Sequence, residues 1–481
     1  MGTPDPRHHI FGRVSRNVIY LIVDSGVCNV VSAVSTILIA RYLGAGILGQ
    51  IQVLGTIVAI GILLGDLGNG QASTLLISRS VAGLGGRSPG HVAAVGLLHA
   101  AIGGLVMGLT VFLVPGVVDA LATISGLASR SEEIQQLRDL IYLSVILVVV
   151  CAIMQQTAGV FAGFQQMQFT LFQDLISQPA RLVICGLVVL AAWPWYWIVW
   201  GWIVWYLVAG VAALLLLRRL LRDRRAAPRP PHAAADVAYY DLTLRGYRPI
   251  ERLRTGAALF TPMAAGYILL YLAVAIVWWM SPPGEGYASV GRFAPLWTLT
   301  RSYEVLLIPL GIALLPAVSD AHGTRDPQVL AALVRRSLTV TGLAATAIFV
   351  MFTLGAGPLL GIFGTTFTTY WFALVILAYG VAFEAQRCAL DPVLNGSGQA
   401  RWLTLIEWLK FALMLGLAIP FYRHWYMTGI CLALVGAFLP AWLAKVLLIH
   451  VRLGVPIARR AFLLAALLTA IFSVWLLVVR K

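Results

Sequence analysis

Charged residues are scarce in this chain. They make up 11% of its 481 residues, whereas 60% of the residues are hydrophobic. A soluble globular domain carries about 25% charged residues, so this composition excludes an ordinary soluble fold. The apolar residues occur in runs of roughly 20, the length of helix that crosses ~30 Å of hydrocarbon. The composition therefore predicts an all-α polytopic membrane protein.

Signatures of disulfide, metal and ATP chemistry are also lacking. The five cysteines lie in apolar stretches without C-x-x-C spacing, which predicts small buried hydrophobes: Cys28, Cys151, Cys185, Cys388 and Cys431. The chain has no Walker A motif, so we expect no ATP hydrolysis. Its polar, basic start precedes a long apolar run and predicts no cleaved signal peptide. We therefore expect no cofactor, no metal site and no catalytic residue.

One glycine pattern resembles a dinucleotide-binding fingerprint. Gly44, Gly46 and Gly49 fit G-x-G-x-x-G, and Asp66 follows 17 residues after Gly49. The fingerprint requires a preceding strand and a following helix in a βαβ unit. Here the preceding stretch VSAVSTILIA belongs to an apolar span, so the nucleotide interpretation fails. The glycines instead predict a tight turn between antiparallel helices.

The apolar runs predict about thirteen spans, within a range of twelve to fourteen. The predicted spans are 18–40, 51–78, 91–115, 140–162, 170–192, 195–217, 256–280, 293–316, 338–360, 370–393, 402–421, 427–449 and 461–479. Arginine is concentrated in 218–254, whereas 116–139 has an excess of acids. Since basic loops of membrane proteins face the cytoplasm, 218–254 and the N-terminus are predicted to be cytoplasmic. Basic residues in cytoplasmic loops also account for the formal charge of +15. The charge therefore does not indicate a nucleic-acid partner, and we expect none.

The arginine-rich segment divides the chain into two halves. Gly49 stands at the head of the second span and Gly291 at the head of the eighth, an offset of 291 − 49 = 242 residues. Six spans, an even number, precede the arginine-rich segment, so both halves begin on the same side of the membrane. Such a parallel repeat is an architecture found in transporters. We predict four parts: a six-helix bundle over 1–217, a cytoplasmic linker over 218–254, a second six-helix bundle over 255–450 and an extra C-terminal span in 451–481.

Three segments resemble the polysaccharide-transport flippases of O-antigen and exopolysaccharide synthesis. They are LIARYLGAGILGQIQVLGTIVAIGILLGDLGNGQASTLLISR, LIPLGIALLPAVSDAHG, and PLLGIFGTTFTTYWFALVILAYG with the later VLNGSGQAR. The matching residues of the first two are Ala40, Arg41, Leu43, Gly44, Gly49, Asp66, Leu67, Gly68, Arg79, Ala313, Pro316 and Ser319.

The resemblance implies the multidrug/oligosaccharidyl-lipid/polysaccharide exporter fold, with two six-helix bundles forming a V around a central cavity. It also implies a function, which is to flip a polyprenyl-diphosphate-linked oligosaccharide across a bacterial inner membrane. The expected partners are the lipid-linked oligosaccharide, membrane lipids, a polysaccharide polymerase and a chain-length regulator. Lipid II flippases share the superfamily and carry arginines in their first two helices. The corresponding places here hold Asn29, Ser35 and Ile62, which disfavours that alternative.

Ionisable residues inside spans are the candidate site residues, because each costs roughly 3 kcal/mol unless it is paired or hydrated. The arginines predicted to bind the diphosphate are Arg301, Arg387, Arg181 and Arg41. The acids predicted to bind a coupling proton or Na⁺ are Asp24, Asp66, Glu304 and Glu384. A structural alternative is that i, i+3 pairs such as Arg301 with Glu304 neutralise each other, and we favour it for Glu407 with Lys410.

Two further functions remain open at this point. A multidrug or small-molecule antiporter of the same fold would use a similar cavity. A membrane polysaccharide polymerase or glycosyltransferase would need a sizeable outer loop or an acidic motif at a helix mouth. The predicted outer loop 116–139 is short, and its only adjacent acids are Glu132 and Glu133. The sequence therefore favours a transporter over an enzyme.

Overall fold

The computed structural model describes residues 6–81, 88–124, 131–226, 249–323, 327–456 and 458–479, and each of its elements there is helical. The α-helices are α1 (Pro6–Leu38), α2 (Gly44–Asp66), α3 (Asn69–Val81), α4 (Pro89–Ile124), α5 (Ser131–Gly163), α6 (Met167–Leu190), α7 (Tyr196–Ala226), α8 (Pro249–Met280), α9 (Gly286–Thr300), α10 (Glu304–Gly323), α11 (Pro327–Gly361), α12 (Trp371–Glu384), α13 (Arg387–Gly396), α14 (Ala400–Leu453) and α15 (Ala458–Val479). A π-helical turn (Ile39–Leu43) and two 3-10 helices (Arg301–Tyr303 and Thr365–Tyr370) complete the described elements. Helices satisfy their own backbone hydrogen bonds, which a lipid environment requires.

Each of the thirteen predicted spans falls largely on helix. By length and composition, eight described helices could cross a membrane, or nine if the bent pair Gly286–Tyr303 and Leu307–Ser319 is one span. Two of the eight are far longer than a bilayer needs: Ile19–Asp66 has 48 residues and Ala400–Leu453 has 54. At 1.5 Å per residue these would extend about 70 to 80 Å, so each covers two predicted spans.

Both long helices contain one residue with non-helical backbone angles. Gly44 has φ +86° and separates the π-helical turn Ile39–Leu43 from α2, which confirms the positive φ that the predicted glycine turn requires. The antiparallel course of the helices on either side stays a prediction. Tyr426 has φ +48° and divides α14. After it the chain runs back along itself, because a Cβ at Gly429 would overlap the Phe421 carbonyl and one at Gly436 would lie 2.6 Å from Leu417 Cδ1. The two segments of α14 therefore form an antiparallel helical hairpin.

Three predicted spans are interrupted at their ionisable residues. The second breaks at Leu67 and Gly68, both with positive φ, directly after Asp66. The eighth passes through a 3-10 turn, Arg301–Tyr303, and bends by 45°. The tenth ends α12 at Glu384 and begins α13 at Arg387. The sequence predicted continuous helix through each of these points, and short 3-10 stretches inside helices often mark functional sites.

The contacts divide the chain into two compact units. Unit 1 comprises 1–29, 36–49 and 265–481, and unit 2 comprises 30–35 and 50–264. Most of the predicted linker 218–254 lies outside the described residues, so its predicted boundaries stay predictions.

Within unit 1, the two glycines that suggested a repeat contact each other's helices. A Cβ at Gly49 would overlap the carbonyl oxygen of Tyr287, and one at Gly291 would overlap that of Ala45. The contact is reciprocal: the start of α2 crosses the start of α9 at a glycine from each. Because only glycine permits such backbone approach, the crossing requires a glycine from each helix. The parallel repeat itself stays a prediction.

Candidate functional site

Eight ionisable side chains of unit 1 alternate in charge along one unbroken line of contacts. In order along the line they are Arg301, Glu304, Arg387, Glu384, Lys410, Glu407, Lys445 and Asp391. They come from the α9–α10 turn, from α10, α12 and α13, and from both segments of α14. Four cations meet four anions, so the line is neutral in total. We name these eight residues the ionic network.

The arginine end of the network is held by two glutamates. Arg301 donates from Nε and Nη2 to Glu304 Oε2, at 3.0 and 2.7 Å. Arg387 lies between two carboxylates, with Nη2 3.7 Å from Glu304 Oε1 and Nε 3.6 Å from Glu384 Oε1. Those two separations exceed hydrogen-bond length, so Arg387 is attracted to both acids without a direct bond to either. The geometry brings together two of the four arginines predicted to bind a diphosphate, with Glu304 between them.

The lysine end is packed more tightly. Lys410 Nζ donates to Glu384 Oε1 at 3.0 Å and pairs with Glu407 Oε2 at 2.6 Å. Lys445 Nζ donates to Asp391 Oδ1 at 2.7 Å and lies 2.7 Å from Glu407 Oε1, an ion-pair contact without hydrogen-bond angles. Glu407 therefore bridges both lysines, one through each oxygen. The predicted pairing of Glu407 with Lys410 is confirmed.

Exposure distinguishes the two ends. The side chains of Lys410 and Lys445 are 1% and 3% exposed, whereas those of Arg301 and Arg387 are 36% and 24% exposed. A buried charge needs its partners, since removal of one typically costs 3–5 kcal/mol. The lysines therefore have a structural role, and the arginines are the cations of the network that a dissolved or lipid-linked anion could reach.

Arg387 also has hydrogen-bonding capacity to spare. Its Nε is buried and has no hydrogen-bond partner among the described residues. A guanidinium has five N–H donors in a planar fork that fits two phosphate oxygens at once. Arg301 adds a second fork, which uses two donors on Glu304. Chemically, this end of the network can bind a phosphate or diphosphate.

The other two predicted arginines lie elsewhere. Arg181, in unit 2, stacks over the indole of Trp202 at 4.4 Å from the ring centroid, and its Nε is buried without a hydrogen-bond partner among the described residues. Arg41 is exposed in the π-helical turn Ile39–Leu43. The structure assigns neither residue to the ionic network, and their role in binding stays a prediction.

The four predicted coupling acids divide in the same way. Glu304 and Glu384 belong to the ionic network. The Asp66 carboxylate accepts the Gly70 N–H, at 3.1 and 3.3 Å to its two oxygens, and so caps the start of α3. Asp24 is half-buried on α1. Asp66 thus has a structural role that accounts for its burial.

Sequence reasoning missed Lys445. It falls within a long apolar stretch with no neighbouring charge, so no i, i+3 or i, i+4 pairing marked it. A signal was nevertheless present: the chain contains only three lysines, Lys410, Lys445 and Lys481, against 31 arginines. Two of the three are in predicted spans, where a charge needs a specific partner.

Unit 2 buries a polar cluster of another kind. Asn69 Nδ2 donates to Gln156 Oε1 at 2.8 Å and to the Gly96 carbonyl at 2.9 Å, and Gln156 Nε2 donates to Ser73 Oγ at 2.6 Å. These side chains connect α3, α4 and α5 and are buried. We name Asn69, Ser73 and Gln156 the amide network. It is uncharged, and its hydrogen bonds link one member to the next.

The comparisons with known proteins identify a family and a fold. A family model described as "Polysaccharide biosynthesis protein" matches residues 14–322, more than half of the chain. No curated protein matches. Among solved structures, the inward-facing conformation of a multidrug resistance MATE family transporter of the MOP superfamily superposes with a TM-score of 0.70 at 15% identity, over 91% of this chain and 98% of that chain.

Two further solved structures agree with this fold. A MOP superfamily transporter from Pyrococcus furiosus, described as having a binding pocket of reverse polarity, gives a TM-score of 0.64 at 14% identity, over 92% of this chain and 95% of that one. An outward-facing multidrug resistance MATE family transporter gives 0.62 at 15% identity, again over 92% and 95%. Identities this low show the fold alone. The fold is that of multi-pass membrane transporters.

Proposed function

Because the chain belongs to the polysaccharide biosynthesis protein family and has a transporter fold, we propose that it flips a polyprenyl-diphosphate-linked oligosaccharide across a bacterial inner membrane. In this proposal the N-terminus is cytoplasmic, as the arginine-rich segment 218–254 suggests. Transport follows alternating access, which carries a substrate site from one side of the membrane to the other. A polysaccharide polymerase and a chain-length regulator would act on the product.

The accessible arginine end of the ionic network carries this proposal. Arg301 and Arg387 share Glu304, and Arg387 keeps a buried N–H without a hydrogen-bond partner among the described residues. A diphosphate offers several anionic oxygens, and bidentate arginine–phosphate pairs are among the strongest hydrogen-bonded contacts. Binding there exchanges the long carboxylate contacts of Arg387 for short phosphate contacts.

Charge balance suggests how transport would be driven. The ionic network is neutral, so a diphosphate bound to its arginines leaves excess negative charge in a poorly hydrated place. Protonation of Glu304 or Glu384, or Na⁺ binding to them, would restore neutrality. We therefore propose these two acids as the coupling residues, with Asp24 as a further candidate. Asp66 is less suited, because it caps α3.

A multidrug or small-molecule antiporter is the second candidate, since two of the similar structures are multidrug resistance transporters. The lipid-linked saccharide has more support, because the family match is to polysaccharide biosynthesis and because Arg301 and Arg387 are more exposed than the glutamates they pair with. An exporter of cationic drugs would be disfavoured by arginines at the accessible end of its site.

The deciding experiment is mass spectrometry of polyprenyl-linked sugars in a strain depleted of this protein. We expect complete repeat units to accumulate on the carrier while surface polysaccharide is lost. Re-expression of the wild type should clear the accumulated carrier, and Arg301→Gln and Arg387→Gln should not. An unchanged carrier pool, with new sensitivity to toxic compounds, would favour the drug antiporter.

Arg292→Gln is the matched control for these variants. Arg292 also belongs to unit 1 and also pairs with a glutamate, Glu285, at 3.1 Å, but the pair is exposed and outside the ionic network. We expect this variant to clear the carrier as the wild type does. Equal failure of Arg292→Gln would show that the assay reports folding or insertion and not the site.

A further inference from the structure

A groove with one arginine, the half-buried Arg335, in its lining lies between α11 and α15. Its volume is about 380 Å³, and its walls are mostly leucine: Leu338, Leu343, Leu463, Leu464 and Leu467. The described residues that line it include no member of the ionic network. The groove therefore shares no residue with the ionic network, although its Gln386 directly precedes Arg387 in the chain.

The face of α11 that lines the groove is set by helical spacing. Arg335, Leu338, Thr339 and Gly342 follow at i, i+3, i+4 and i+7, which places them on one side of the helix. At Gly342 a Cβ would come within 2.7 Å of Leu464, so α15 contacts α11 there. Arg335 lies seven residues earlier on the same face, about 10 Å along the helix.

Arg335 is the only charged residue among the described lining residues. Its Nε is buried and has no hydrogen-bond partner within the described part of the chain. A buried donor left unpaired costs about 1–3 kcal/mol, and more when it is charged. The neighbouring Arg336, in contrast, is exposed. The ligand that fits a guanidinium beside leucine side chains is an anion attached to an apolar chain.

We propose that this groove binds an anionic phospholipid of the surrounding membrane, with the headgroup phosphate on Arg335 and an acyl chain along the leucines. Leu343, Leu463 and Leu467 are exposed, so an acyl chain can enter sideways from the bilayer. A peptide strand would leave its backbone groups unpaired against these leucines. A free phosphate ion would leave the leucine walls uncovered.

The test uses the full-length protein in nanodiscs that contain a phosphatidylglycerol with a photoreactive diazirine on its acyl chain. After illumination, mass spectrometry locates the cross-links. We expect them on the α11 and α15 segments that line the groove, and Arg335→Gln should lower them about tenfold, as loss of one charge-assisted hydrogen bond implies. Arg335→Lys should recover part of the labelling. Arg336→Gln is the matched control, with the same charge removed one position away, and should label as the wild type does.

A second variant, Thr339→Trp, keeps the arginine and fills the groove, so it should also reduce labelling. If gel filtration shows that Arg335→Gln does not fold, Thr339→Trp still tests the proposal. Excess unlabelled phosphatidylglycerol should compete, whereas inorganic phosphate should not. Labelling that is spread evenly over the membrane surface, equal loss in Arg335→Gln and Arg336→Gln, or competition by inorganic phosphate alone would each overturn the lipid site.

Discussion

The two compact units bury polar side chains by different chemistry. Unit 1 buries the ionic network, in which four cations alternate with four anions. Unit 2 buries the amide network, in which neutral amides and a hydroxyl bond to one another. A neutral cluster satisfies itself and stabilises helix packing. A charged cluster costs more free energy to desolvate. That cost is offset where the exposed end of the cluster binds a charged ligand.

The largest expected effect is at the buried end of the ionic network. Lys445→Met removes the partner that donates to Asp391 at 2.7 Å and leaves the network with an excess negative charge. We expect a loss of about 3–5 kcal/mol in the free energy of unfolding, the usual result of breaking a buried pair. Thermal unfolding in detergent measures it. The neutral double variant Lys445→Met with Asp391→Asn should recover at least half of the loss; if it recovers none, charge balance is not what Lys445 supplies.

The amide network should cost less to break. Gln156→Leu keeps most of the side-chain volume but leaves Asn69 without its 2.8 Å partner and Ser73 without its 2.6 Å donor. We expect a loss of about 1–3 kcal/mol, since the groups that each lose one hydrogen bond are uncharged. The same unfolding measurement applies. A loss as large as that of Lys445→Met would remove the distinction between the two networks.

A substitution at the accessible arginine end of the ionic network should reduce transport much more than it reduces stability. In Arg387→Gln each glutamate keeps a closer partner, because Arg301 holds Glu304 at 2.7 Å and Lys410 holds Glu384 at 3.0 Å. We therefore expect a stability change of only about 1 kcal/mol, with most carrier clearance lost. Quantification of polyprenyl-linked sugars beside an unfolding curve decides this. Destabilisation that accounts for the whole loss of clearance would assign Arg387 a purely structural role.

The smallest effect should come from an ion pair outside both networks. Arg292→Gln breaks an exposed contact to Glu285. Exposed pairs contribute roughly 0–1 kcal/mol, so neither the unfolding temperature nor transport should change measurably. A large effect here would mean that membership of the ionic network does not rank these arginines.

Much of the fold could be predicted from periodicity and length. The apolar runs located the helices, and Gly44 has the positive φ that the predicted turn requires. The close crossing at Gly49 and Gly291 was not predicted, because the sequence showed only their matching positions in the two halves. The interruptions after Asp66 and beside Arg301 and Glu384 were not predicted. Hydropathy averages over a window of residues, so it cannot register a break of two or three residues inside an apolar run.

The candidate site was predicted only in part. Arg301 and Glu304 are three residues apart, as are Glu384 and Arg387, so sequence spacing could suggest those pairs. The contact between Arg387 and Glu304 joins residues 83 positions apart (387 − 304), and that between Lys445 and Glu407 joins residues 38 apart (445 − 407). No local pattern encodes such contacts.

By itself, the sequence determined that this chain is an all-helical membrane protein, because apolar runs of this length can satisfy their backbone only as helices in lipid. It also determined which residues carry charge inside the membrane. The tertiary structure alone decided which charges meet, because pairing depends on how separate helices pack. It joined Arg301 and Arg387 through Glu304, buried Lys410 and Lys445, and left the arginine side chains partly exposed.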